Sequence, residues 1–180
     1  MPRCTGSPRS GGGSREGSAR REPRGRIGGG GKATGEVLYR ETFEILGNDF
    51  EHGGVVATRI KAILRQLGFP TEAIRRLSIA NFEAEMNVIM YAEEGTLELA
   101  VLPHGVRVTV DDRGPGIPDI DWAMQEGNST ATPEIRARGF GAGLGLPNIR
   151  RNSDEFVIES TVGVGTRLSY TVYVSGNAGA

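Results

Sequence analysis

The sequence predicts an α+β two-layer sandwich, with helices on one face of a mixed, largely antiparallel sheet. Three observations point there. Val55, Val56, Ile60, Ile63, Leu64 and Leu67 recur at three- and four-residue spacing, and a second helical segment opens at Thr71. Leu97, Leu99, Val101 and then Val106, Val108, Val110 alternate on either side of Pro103-His104-Gly105, which is the pattern of a hairpin. Strands and helices also mix without the strict alternation that builds a parallel βαβ sheet.

Taken in chain order, residues 1–35 hold eight Lys or Arg, two acids, eleven glycines and one aliphatic side chain, Ile27. That composition buries too little apolar surface to offset ordering entropy, so this stretch is expected to be a disordered tail, with the folded domain spanning 36–180. Val37 to Leu46 is β-prone, and Asn48 or Asp49 is placed to cap the first helix, which Gly68 would stop. The second helix runs from Thr71 to about Glu94, with Leu77, Ala84 and Val88 on its core-facing stripe. Asp119 to about Glu126 and Leu144 to about Asn152 are expected to be helical. Glu155–Ser160 and Thr166–Val174 should close the sheet around Gly163-Val164-Gly165.

With 21 Lys and Arg against 22 Asp and Glu, the 180-residue chain has a formal charge of −1 and no general attraction to nucleic acid. Cys4 is the only cysteine, so no intramolecular disulfide is available. No run approaches the ~18 apolar residues of a membrane helix, and a cytoplasmic protein is expected.

Chemistry concentrates in three places. Glu83 and Asn87 are four apart on the long helix and share a face, which Tyr91 continues. Asp112 keeps the inward phase of Val106, Val108 and Val110, so a carboxylate stands where one more buried apolar residue is due. It is followed by the bend Gly114-Pro115-Gly116-Ile117-Pro118. Finally, Gly139, Gly141, Gly143 and Gly145 fall at every second position and lead into a helix, an arrangement that taken alone is either a flexible linker or an anion site, with polyphosphate the common occupant. The Gly-Lys-Ser/Thr ending of a P-loop is missing.

In this order, Glu83-x-x-x-Asn87, Asp112-x-Gly114-x-Gly116, Gly141-x-Gly143-Leu144-Gly145-Leu146 and Gly163-x-Gly165-Thr166 resemble the motifs of the GHKL ATPases. That superfamily joins gyrase-type topoisomerases, heat-shock chaperones, mismatch-repair ATPases, histidine kinases and anti-sigma-factor kinases, and the resemblance covers about residues 37–174. The segments Asp112–Asp119, Ala123–Thr130 and Gly143–Pro147 leading to Asp154-Glu155-Phe156 are most similar to anti-sigma serine/threonine kinases of the switch-kinase branch.

The resemblance implies the Bergerat-type ATP-binding fold, with ATP and Mg²⁺ as cofactors. It implies that Asp112 accepts the adenine amino hydrogen, that Gly114, Gly116 and Ile117 line the base, and that Thr166 supports the carboxylate through its hydroxyl or a water. Asn87 would ligate Mg²⁺; Gly141, Gly143, Leu144 and Gly145 would cradle phosphates. Glu83 would be the general base. Arg136 and Arg138 face two readings, phosphate contact or plain solvation. The stretch Thr130–Arg138, between Ser129 and Gly139, is longer than in compact switch kinases, and Gly127 to Ala142, with glycine near both ends and little apolar content, is expected to be a mobile lid ordered by the γ-phosphate. The implied partner is an antagonist protein with a phosphorylatable serine or threonine, with a sigma factor or another regulatory enzyme beyond it, and homodimerisation stays open. No contact with nucleic acid or membrane is expected. His52 and His104 lie in loop-like sequence, which argues against an autophosphorylating histidine kinase, and no residues remain for the transducer domain of a topoisomerase. An ATP-gated module that sequesters a sigma factor or activates a partner without phosphotransfer, and a slow stand-alone ATPase, are the competing functions.

Overall fold

A computed structural model describes residues 26–27 and 36–174 of the chain. The expected tail lies outside them except for Arg26–Ile27, a two-residue strand, β1, that pairs with the edge of the sheet. Five longer strands follow: β2 (Tyr39–Leu46), β3 (Glu94–Leu102), β4 (Gly105–Asp112), β5 (Glu155–Thr161) and β6 (Gly165–Tyr173). Their order is β1-β5-β6-β4-β3-β2, and every neighbouring pair is antiparallel. The helices are α1 (Val55–Gln66), α2 (Thr71–Tyr91), α3 (Ile120–Ala123), α4 (Pro133–Ala137) and α5 (Gly145–Arg151).

Register explains the two layers. Val110 lies opposite Leu97 on one side and Leu168 on the other, and Val108 lies opposite Leu99 and Tyr170. These rows are buried, so one sheet face is a continuous apolar surface. Helix α2 crosses it, touching β2, β3, β4 and β6, with α1 and α5 packed on its flanks. Leu77, Ala84 and Val88 are buried on the stripe the periodicity predicts. The other sheet face is polar and carries the ion pairs Arg40–Glu98 at 3.0 Å and Arg167–Asp111 at 2.8 Å.

Several ends differ from expectation. Asp49 caps only a 3₁₀ turn, Phe50–His52, and α1 begins later, behind a left-handed Gly54 that offers no side chain. The first amides of α1 go instead to Glu85 of α2: Oε1 accepts from Gly54 N–H (3.0 Å) and Val56 N–H (3.1 Å), and Oε2 from Ala57 N–H (2.8 Å). A buried carboxylate from a neighbouring helix thus neutralises the positive end of α1 and is itself satisfied. Helix α2 stops at Tyr91 rather than Glu94, because Glu93 donates to the Arg113 carbonyl and Arg113 to that of Glu94, extending the ladder at the helix's expense. The helix expected from Asp119 shrinks to α3, capped by the Asp119 side chain. A further short helix, α4, forms within the expected lid, with Thr132 as cap and Pro133 in its first turn.

Candidate nucleotide-binding site

At the end of β4, Asp112 is half-buried. Its Oδ1 accepts from Thr166 N–H at 3.1 Å. Desolvation pushes its carboxyl above the ordinary aspartate value, Asp111 adds to the rise, and the amides of Thr166 and Gly114 oppose it. The expected support by Thr166 comes from its backbone; its hydroxyl lies 2.9 Å from Ser160 Oγ. Ser160 is buried, accepts from Ile117 N–H at 2.8 Å and donates to the Gly165 carbonyl at 3.1 Å, so it ties the glycine bend to the β5–β6 turn. Gly116 has φ +71°, and a Cβ there would fall 2.3 Å from the Thr161 carbonyl oxygen. The close approach that this glycine permits is therefore with the protein's own turn.

On α2, Glu83 and Asn87 face α5. A Cβ built on Gly145 would lie 3.1 Å from Asn87 Oδ1 and 3.5 Å from Glu83 Oε2, so the absence of a side chain at Gly145 brings both polar groups against the glycine loop. Asn148, one turn further along α5, donates from Nδ2 to Glu83 Oε1 at 2.7 Å. Sequence reasoning missed Asn148, as it missed Ser160 and Glu85. The only signal for Asn148 was its place three residues after Gly145, on the same face of a helix opening from the loop.

The glycine loop, which runs from the end of the lid into α5, has Gly139, Gly141 and Gly143 at positive φ, alternating with residues at negative φ. Such alternation turns successive N–H groups to one side. The amides of residues 141–145 donate to no acceptor among the described residues. Gly143 is held against the root of the lid: Gly127 N–H donates to its carbonyl at 3.0 Å, and a Cβ on it would meet the Asn128 carbonyl oxygen at 2.5 Å. Tyr91 Oη is 3.5 Å from Ser129 Oγ, linking α2 to the lid. Arg136 donates to the carbonyls of Ala131 and Ser129, and Arg138 stacks over the Phe50 ring at 4.7 Å, so both arginines are engaged within the lid and its surroundings.

An α+β sandwich with a half-buried carboxylate at a sheet end, and with Glu83 and Asn87 beside a run of amides that meet no acceptor among the described residues, has the makings of a nucleotide-binding ATPase domain. More particularly, the chain belongs to the family of histidine kinase-like ATPase domains, which matches over residues 47–172. It is similar to the serine/threonine-protein kinase RsbT of Bacillus subtilis (strain 168), 34% identical over 110 residues that cover 59% of this chain and 77% of that protein. It is likewise similar to the anti-sigma F factor of Caldanaerobacter subterraneus subsp. tengcongensis, 33% identical over 125 residues covering 67% and 84%. The anti-sigma F factor of Thermoanaerobacter sp. (strain X514) is 33% identical over 122 residues covering 65% and 82%. Among the described residues no helix is long and apolar enough to cross a membrane.

Proposed function

We propose that the chain is an ATP-dependent serine/threonine protein kinase that phosphorylates a small antagonist protein in a partner-switching module, with a sigma factor as a further partner. The observation that carries this reading is the convergence of Glu83, Asn87 and Gly145 at the end of a loop with five amides that meet no acceptor among the described residues. A module that only binds nucleotide has no use for a carboxylate at that point. The names of its relatives, a serine/threonine-protein kinase and anti-sigma F factors, support the same class of partner.

In this reading Asp112 accepts the adenine amino hydrogen, and the amides of 141–145 receive the phosphates. Asn87 presents an amide oxygen beside a glycine, a donor suited to a hard cation, and is the residue that would hold Mg²⁺. When bound, Mg²⁺ supplies neutralisation of the phosphate charge. Glu83 takes the proton from the acceptor hydroxyl as its oxygen bonds to the γ-phosphorus. The bond from that phosphorus to the β–γ bridging oxygen breaks, ADP leaves, and Glu83 releases the proton to solvent.

The 180-residue protein, labelled ATP and a candidate antagonist protein test the assignment. Glu83→Gln should keep ATP affinity near wild type and lose phosphotransfer by ~10²–10⁴-fold, the usual contribution of general-base help. Asn87→Ala should lose Mg²⁺-dependent ATP binding as well. Undiminished transfer by Glu83→Gln removes the base from the scheme, and ATP-dependent complex formation without any transfer by wild type points to a sequestering module.

A further inference from the structure

Asn148 stands at a junction of three elements. It lies on the same face of α5 as Gly145, three residues on, and that face packs on α2. Its Nδ2 donates to Glu83 Oε1 at 2.7 Å, the length of a charge-assisted bond. Its Oδ1 accepts from Arg151 Nη1 at 3.2 Å. A carboxylate only accepts and a guanidinium only donates, so these two neighbours fix which way the Asn148 amide is turned. Arg151 also pairs with Glu126, directly before the Gly127 root of the lid. The two carboxylate oxygens of Glu83 are thereby distinguished: Oε1 is occupied by Asn148, and Oε2 faces Gly145 and the end of the glycine loop.

We propose that Asn148 is the positioning residue of Glu83: it holds Oε1 so that Oε2 is the atom turned to the incoming hydroxyl, and Arg151 orients Asn148 from the root of the lid. This rests on the reading of Glu83 as general base. A carboxylate on an unbranched two-carbon stem turns freely unless a partner holds it, and loss of alignment at the reacting atoms is costly to rate even where binding is intact. The Asn148 side chain meets Glu83 and Arg151, and its one bond to the nucleotide-binding loop is a backbone one, from its N–H to the Leu144 carbonyl at 2.8 Å, which a side-chain substitution leaves in place, so the effect of substitution should pass through Glu83.

The experiment is a double-mutant cycle on full-length protein, with Asn148→Ala and the isosteric Asn148→Asp each placed in wild-type and Glu83→Gln backgrounds. ATP affinity and ADP formation from Mg·ATP are measured with and without a candidate antagonist protein as acceptor. In the wild-type background either Asn148 substitution should slow turnover about 10–100-fold with ATP affinity unchanged. In the Glu83→Gln background neither should cause further loss. Equal losses in both backgrounds, or a parallel fall in ATP affinity, would overturn the proposal in favour of a purely structural role. Should Glu83→Gln itself turn over at the wild-type rate, the base reading fails; should it be impaired while the Asn148 variants are not, only the positioning role fails. A spectroscopic arm needs no turnover: the side-chain amide resonance of Asn148, assigned by its absence in Asn148→Asp, should move in Glu83→Ala. An unmoved resonance means that the two side chains do not meet in solution, and overturns the proposal.

Discussion

Asp112 meets two opposed demands, since the carboxylate that would read an adenine amino group must be kept partly out of water. Burial raises its carboxyl above the ordinary value, so in the window between the unfolded and folded values the native protein binds more protons than the unfolded chain. Stability from this residue therefore falls as pH rises through that window, and the deficit persists at neutral pH. Asp112→Asn removes the charge and keeps an oxygen for the Thr166 amide. The variant should bind ATP roughly 10–100-fold more weakly, the equivalent of one hydrogen bond to a charged group. Without nucleotide it should melt at or above the wild-type temperature at pH 7, with any advantage shrinking as the pH falls through the window. Titration calorimetry and thermal melts across pH check both halves; a variant with wild-type ATP affinity removes Asp112 from base recognition.

At the scale of elements, two junctions hold the site in place. Helix α1 begins on a glycine and is capped by Glu85 across the α1–α2 interface. Glu85→Ala leaves a part-buried helix end without acceptors, the buried Ala57 amide among them, and should cost about 2–4 kcal/mol, adding a lost cap to unpaired amides. Chemical denaturation measures it, and a cost below that of an ordinary surface substitution would show the cap to be dispensable. The second junction is the lid. It is anchored by the buried Ala131, by the Phe50–Phe140 ring pair at 6.2 Å, and by the backbone bond from Gly127 to Gly143. Because Gly143 belongs at once to the lid's root and to the amide run, a γ-phosphate on those amides should tighten the lid. Hydrogen exchange over residues 127–142 should therefore slow more with a non-hydrolysable ATP analogue than with ADP. Equal protection by the two nucleotides would leave the lid ungated.

For the molecule as a whole, every candidate site residue lies between Glu83 and Thr166, and the layers that carry them are built from residues 39–173. Strand β1 adds only two residues at the β5 edge, opposite Glu159 and Ile158. Residues 1–35 carry a net charge of +6 against −7 for the remainder. We infer that the region before β1 is dispensable for nucleotide binding. Deletion of residues 1–25 should leave ATP affinity and melting temperature as in the full chain, and a drop in either would assign that region a part in the domain.

What the sequence by itself determined is what depends on neighbours a few residues apart. The period-two rows of β3 and β4, the helical stripe Leu77-Ala84-Val88, the inward phase of Asp112 and the pairing of Glu83 with Asn87 on one face follow from strand and helix geometry, and all were legible. The glycine loop was legible too, because alternate glycines allow alternate positive φ whatever surrounds them. Tertiary structure alone decided the partners. Glu85 meets the amide of Ala57 across 28 residues, Asp112 that of Thr166 across 54, and Asn148 meets Glu83 across 65. It also decided the ends: Asn48 or Asp49 had the chemistry to cap α1, and Glu93 and Glu94 could have continued α2, yet packing and the β3–β4 ladder claimed those amides. The physical reason is that a local preference of a few tenths of a kcal/mol to ~1 kcal/mol is outweighed when a buried polar group must find a partner, and which partner is in reach is set only when the layers close.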